Sequence, residues 1–188
     1  MSQPTVIILA SGRGERFAQS GGRYPKLQAL LVDKTVLQHT LDAVRASGLP
    51  WHLEDVGHPG MGDSIAAAVR ATLQSSPQPT GWLILPGDLP LIRSDTLRQI
   101  GEALGSHQVV VPVYRKRRGH PVGFSMCCRS ELLDLKGNEG ARNVVLAYEA
   151  TELMVDDIGC VTDIDTVADL HAVEKLLNGM TPLAADTF

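Results

Sequence analysis

Residues 5–17 read TVIILASGRGERF. An apolar run over 5–10 ends abruptly in a loop that interleaves Gly12 and Gly14 with Arg13 and Arg16. A continuous apolar run, rather than an alternating one, marks a strand covered on both faces. A glycine-rich turn straight after such a strand lies at the carboxyl edge of an open α/β sheet, where ligands bind. Glycine tolerates the backbone angles that aim N–H groups inward at a phosphate, and arginine adds bidentate donors. Leu9, Ala10, Ser11, Gly12, Arg13 and Gly14 are therefore candidate phosphate contacts, with Arg16 beside them as a second bidentate donor. The alternative is a strand-to-helix turn with solvated arginines. Phe17 stands where GxGxxG needs its third glycine, and the Gly-Lys-Ser/Thr of a P-loop is missing. Both disfavour a dinucleotide or Walker site.

Outward from this stretch, strand-like runs recur at 82–86, 108–112 and 51–56. Between and after them lie helical patterns at 36–46, 64–73, 95–104 and 167–177. Strands alternating with helices predict an α/β fold: a mainly parallel twisted sheet with helices on both faces, in three layers. A single domain over 1–178 is expected, with 179–188 a loose patternless tail. The 188 residues are 44% hydrophobic, enough for a real core. A net charge of −4 does not suit general nucleic-acid binding. Three cysteines, two of them adjacent and none in CxxC, fit a reduced cytoplasm better than a disulfide framework or zinc site. The run VIILA is too short for a signal core or a membrane span, so a cytoplasmic protein without membrane contact is expected.

Two acidic motifs complete a candidate site. In 83–90, LILPGDLP, Asp88 closes a buried run beside Gly87 and Pro90. A carboxylate at that edge suits Mg²⁺, a hard ion held by one or two carboxylates plus substrate phosphates. The alternative is a turn or helix-capping aspartate. In 161–166, VTDIDT, Asp163 and Asp165 alternate and so share a side of any extended segment. Asp163 is read as a second metal contact, with Asp165 or Thr166 capping the helix at Val167. Lys26 follows a rigid proline in YPKL, 24–27, and offers a point charge for phosphoryl transfer.

LASGRGERF followed by YPKL resembles the signature of the MobA-like NTP transferase superfamily, nucleotidyltransferases of the GT-A-like fold. The resemblance implies that the loop wraps a triphosphate and that Lys26, Arg13 and Arg16 touch its phosphates. It implies that Asp88 of PGDLPL holds the catalytic magnesium. It sets GMGDS, 60–64, with Gly62 and Ser64, against base and ribose. It places Gly119, His120 and Pro121 of GHPVGF, and Arg142 of GNEGAR, near the acceptor. His120 is not needed as a base, because an attacking phosphate oxygen is already anionic. The basic run 115–118 would attract an anionic acceptor. DIDT is similar to the DIDTPEDL of molybdenum cofactor cytidylyltransferases.

There are departures. Asn138 replaces an aspartate, and Val167-Ala168 replace Pro-Glu. Residues 19–23 lengthen the gap before Lys26. Residues 47–59, where the family has strand-helix-strand, have room for about one strand at ~3.3 Å per residue. His52 and His58 in that passage read as surface residues.

The implied function is Mg²⁺-dependent transfer of a nucleoside monophosphate, CMP favoured over GMP, from CTP or GTP to a molybdopterin-type phosphate. A molybdoenzyme or its chaperone would be a downstream partner. The alternatives are a guanylyltransferase on the same acceptor, a sugar-1-phosphate nucleotidyltransferase, and a noncatalytic nucleotide or cofactor carrier.

Overall fold

The computed structural model describes residues 3–180. Its sheet opens with β1 (Thr5–Leu9), from which the chain enters the short helix α1 (Glu15–Gln19). A two-strand ribbon, β2 (Leu30–Leu31) with β3 (Lys34–Thr35), leads to α2 (Val36–Ser47) and β4 (Trp51–Glu54). Then come α3 (Met61–Thr72), β5 (Gly81–Pro86), α4 (Ser94–Ala103) and β6 (Val109–Tyr114). The last stretch holds β7 (Arg117–Arg118), β8 (Val122–Ser125), α5 (Arg129–Leu133), α6 (Arg142–Ala147), β9 (Thr151–Met154) and α7 (Val167–Met180). The strands run β4-β1-β5-β8-β6-β7, with β9 also on β6. β1 pairs parallel with β4 and β5, and β6 with β9, while β8 runs antiparallel between β5 and β6. The sheet is mixed but mostly parallel, and among the described residues 47–59 supplies the single strand β4.

The apolar runs are continuous because each strand feeds two cores. Val6 and Ile8 of β1, with Leu83 and Leu85 of β5, pack on one face against Leu41 and Val44 of α2 and Leu97 and Ile100 of α4. Their neighbours Ile7, Trp82 and Ile84 pack on the other face against Ile65, Ala68 and Val69 of α3 and Leu132 of α5. Trp82 is fully buried and its indole N–H donates to Thr72 Oγ1 at 2.9 Å. A third cluster, Phe17, Ala29, Leu31, Val36, Ile164 and Val173, fastens α1 and α7 to β2 and the start of α2.

Helix ends depart from the sequence expectations. α3 starts at Met61 with Gly60 as its N-cap, so Asp63 and Ser64 lie inside the helix. α7 runs on through Gly179 to Met180; residues 181–188 of the expected tail lie outside the described residues. Asp165 does not cap α7. Thr166 does: its Oγ1 accepts from the Asp169 N–H at 3.2 Å while Asp169 Oδ2 accepts from the Thr166 N–H at 2.7 Å, a capping box. No helix of the described residues is long and apolar enough to cross a membrane.

Burial also sets thiol chemistry. It pushes Cys128 up to about 12 and Cys160 up to about 11, so neither forms a thiolate near neutrality. Cys127 is exposed. Native protein at neutral pH is expected to titrate one thiol with a disulfide reagent, and all three after denaturation.

Candidate functional site

The carboxyl ends of β1 and β5 form the floor of an open cleft of about 810 Å³. The floor is laced by backbone. Ala10 N–H donates to Glu54 O at 2.8 Å, Gly87 N–H to Leu9 O at 2.9 Å, and Ile164 N–H to Asp88 O at 3.1 Å. Thr40, buried on α2, donates to Gly87 O at 3.0 Å. These bonds bring the tip of β1, the tip of β5 and the 163–165 segment together.

The loop after β1 turns at Gly14, whose φ of 60° is left-handed and suits glycine. A Cβ there would lie 3.1 Å from Lys26 Cβ, so the loop curls against the lysine. Residues 19–23 are the C-terminal wrap of α1. Gly22 seats under the Phe17 ring, where a Cβ would collide, and its N–H donates to Phe17 O at 3.1 Å. Ser20 Oγ accepts from Val167 N–H at 2.9 Å and ties the wrap to α7. That is why the gap before Lys26 is long. The charged residues each neighbour a core residue in sequence: Arg16 beside Phe17, Lys26 beside Leu27, Asp88 beside Leu89, Asp165 beside Ile164. The apolar partner anchors each segment and leaves the charge at the cleft.

Lys26 is the hub. Its Nζ donates to Asp88 Oδ2 at 2.5 Å and to Asp165 Oδ1 at 3.2 Å, and Asp165 Oδ2 also takes Arg16 Nη1 at 2.6 Å. The Lys26 and Asp88 side chains are 14% and 15% exposed. Desolvation pulls the Lys26 pKa down, but the Asp88 and Asp165 carboxylates outweigh it and the net shift is upward. Asp88 Oδ1 is buried and has no hydrogen-bond partner among the described residues. An orphaned buried carboxylate oxygen is costly in the absence of a ligand. A hard divalent cation is the ligand it fits.

Ser11 and Ser64 hydroxyls meet at 3.1 Å and join the β1–α1 loop to α3. Asp63 Oδ2 accepts from Gly137 N–H at 2.9 Å, seating the 136–140 loop on the start of α3. There the packing leaves no room for side chains. A Cβ on Gly62 would lie 2.8 Å from Lys136 O, and one on Gly60 would run into the Gly137 carbonyl. Gly60→Ala is thus expected to lower stability by ~1–3 kcal/mol, the cost of overpacking, seen as a lower urea midpoint with an unchanged slope. The opposite wall carries Arg117 and Arg118. They are presented by a tight β6–β7 turn in which Arg115 (φ 46°) and Lys116 (φ 70°) are both left-handed.

Of the residues singled out in the sequence, Leu9, Ser11, Gly12, Arg13, Gly14, Arg16, Lys26, Ser64, Asp88, His120 and Asp163 line the cleft. Ala10, Gly62, Gly119, Pro121 and Arg142 do not. Ala10 holds Glu54 through its backbone and Gly62 packs on Lys136. Gly119 is pressed onto the Cys160 carbonyl. Pro121 is buried and Arg142 faces solvent at the start of α6. Asp163 is exposed at the cleft edge, whereas Asp165 reaches the lysine. His58 is no plain surface histidine: it lines the cleft and bonds Glu54. Sequence reasoning passed over Glu54, whose signal was a charge at a strand's carboxyl end.

Residues 6–152 match the MobA-like NTP transferase domain, and the chain belongs to that family. It is 26% identical over 147 residues to the bifunctional protein GlmU of Clostridioides difficile, which covers 69% of this chain and 31% of GlmU. The chain thus spans about a third of the length of that curated relative. Its fold matches the crystal structure of Rv0371c from Mycobacterium tuberculosis with a TM-score of 0.76 and 28% identity, covering 93% and 99% of the two chains. That protein's manganese complex matches at 0.72 and 25%, with the same coverage. Molybdopterin-guanine dinucleotide biosynthesis protein A of Archaeoglobus fulgidus shares the fold at TM-score 0.62 and 15% identity, covering 94% and 100%. The domain is of nucleotidyltransferase type.

Proposed function

We propose that the protein transfers a nucleoside monophosphate, CMP favoured, from a nucleoside triphosphate to the phosphate of a molybdopterin-type acceptor. The observation that carries the reading is the Lys26 hub beside an orphaned Asp88 oxygen, under a glycine-arginine loop. An acceptor phosphate oxygen attacks the α-phosphorus. The bond from that phosphorus to the bridging oxygen breaks in line, and pyrophosphate leaves with the electron pair. Such a step depends on positioning and charge neutralisation more than on covalent help. The triphosphate offers Lys26 and Arg16 anionic partners in place of Asp165, and Arg13 lies on the same wall. Asp88 Oδ1 and the neighbouring Asp165 carboxylate are the groups that would hold Mg²⁺, with Asp163 at the outer edge. Bound there, the ion would neutralise phosphate charge and polarise the reacting centre. Arg117 and Arg118 face the acceptor side and favour an anionic acceptor.

Melting the protein with CTP, GTP, UTP, ATP and dTTP, each with Mg²⁺ and with chelator, tests the reading. A ligand at ~100 times its Kd adds ~2.7 kcal/mol to folded-state stability. A Mg²⁺-dependent rise with CTP, followed by pyrophosphate release on adding the acceptor, is the expected outcome. A rise with GTP alone would favour the guanylyl reading, which the likeness to the Archaeoglobus protein supports. A rise without turnover would favour a carrier. No rise with any triphosphate would sink the proposal.

A further inference from the structure

Glu54 is a carboxylate that the proposed reaction does not use, and it is buried: its side chain is 7% exposed. It ends the edge strand β4 in register with Leu9, where the sheet gives way to the phosphate loop. Its backbone carbonyl holds Ala10. Both carboxylate oxygens are engaged. Oε1 accepts from Val56 N–H at 3.3 Å and from His58 Nε2 at 3.2 Å, and Oε2 from His52 Nε2 at 3.4 Å.

Asp157, also a buried carboxylate, makes a useful contrast. Its bonds go to Arg93 N–H, Thr96 Oγ1 and Gly159 N–H, which hold the start of α4 and its own turn. That is scaffold. Glu54 instead grips a loop with no regular structure, 55–60, in which Val56 is 61% exposed and a Cβ on Gly57 would touch nothing. Residues 58–60 of that segment, and Met61 at the start of α3, line the cleft. Desolvating a carboxylate is expensive unless its oxygens are bonded, and an apolar side chain would end a strand at lower cost. What the charge supplies is direction: two donors of the loop, Val56 N–H and His58 Nε2, fix where it stands, while His52 holds the other oxygen from β4.

We propose that Glu54 is a positioning residue: acting through His58, it holds the 58–61 wall at a set distance from the phosphate loop and so governs affinity for the nucleoside part of the triphosphate. The inference rests on the nucleotidyl-transfer reading. The geometry makes the link direct, since the backbone of Glu54 holds Ala10 at the root of the β1–α1 loop and its side chain holds His58 in the cleft wall.

Calorimetric titration of wild type and Glu54→Gln with Mg²⁺ plus CTP (or GTP, if the melting panel selects it) tests this, with inorganic tripolyphosphate as the second probe. Glu54→Gln is expected to bind nucleotide ~10-fold more weakly, the scale on which residues that orient contact residues act. Its affinity for tripolyphosphate, which has no nucleoside, should be unchanged. In turnover the loss falls on KM, and amide exchange quickens over residues 56–61 alone. Equal losses for both probes, or none, would overturn the role. Should Glu54→Gln not fold, His58→Ala must show the same selective loss and His58→Gln, which can still donate to Glu54, must recover it. Failure of that rescue would overturn the proposal too. Wild type that binds neither probe would overturn the nucleotidyl-transfer reading and this inference with it; wild type that binds both while the variants match it would overturn the positioning role alone.

Discussion

Asp88→Asn is expected to fold and still bind nucleotide, but to release pyrophosphate at least ~100-fold more slowly, a loss of about 3 kcal/mol of transition-state stabilisation. Three facts set the size. The Asp88 carboxylate sits two residues past β5, a strand buried over Gly81–Leu85, and beside buried Leu89, so its position is fixed by the core. One oxygen is spent on Lys26, and the other is buried with no hydrogen-bond partner among the described residues. An amide keeps the shape and an acceptor for Lys26, yet it is a poor ligand for a hard cation. The stability effect should be small by comparison. Wild type already carries a buried orphan oxygen, and the substitution trades one imperfectly satisfied group for another. A melting change within ~4 °C, about 1 kcal/mol for a chain of this size, is expected. Steady-state pyrophosphate release with Mg²⁺ and with Mn²⁺, beside the melting curve, checks both halves. Full activity in a folded Asp88→Asn would remove the carboxylate from the chemistry.

How much of this site is legible in the sequence depends on which residues are held by periodic structure. β1 and β5 announce themselves because both faces are covered, so the apolar runs are unbroken. A glycine loop and an aspartate at the ends of two such strands then converge without further information. β8 and β9 are not legible. VGFS and TELM are short, and one holds a glycine packed against Ile100. They are strands because β5 and β6 offer them edges, a tertiary cause that no local pattern carries. Asp165 shows the same limit at the site. The alternation of Asp163 and Asp165 around buried Ile164 is local and readable. Which carboxylate meets Lys26 depends on a capping box that frees Asp165 from α7, and on Ile164 N–H reaching back to Asp88. Glu54 is the extreme case: its partners are local, but its burial is the work of the fold.

Lys26→Ala should move turnover and metal binding in opposite directions. Turnover falls ~100-fold or more, because the variant loses a cation aimed at charge that builds up in the transition state. Affinity of the nucleotide-free protein for Mn²⁺ rises, because Asp88 and Asp165 lose the cation they share and are left as a facing pair of carboxylates. The same pair explains the stability. Removing one member of a mostly buried ion pair leaves uncompensated charge, which costs up to ~3–5 kcal/mol when burial is complete and less here, where the groups keep some solvent. Mn²⁺ should restore melting in the variant more than it raises wild type. The pH dependence has a definite sign. Desolvation lowers the Lys26 pKa, but its carboxylate partners raise it on balance, so the folded state holds this proton more tightly than the unfolded chain. The stability that Lys26 contributes is therefore fully present below the ordinary lysine value of 10.5 and is lost only as pH rises through the raised one. The melting gap between wild type and Lys26→Ala should stay constant through neutral and mildly alkaline pH and close beyond it. Mn²⁺ binding by the free protein, followed calorimetrically, is the discriminating measurement. Were the variant to bind Mn²⁺ no better than wild type, the lysine would not be standing in for a cation between Asp88 and Asp165.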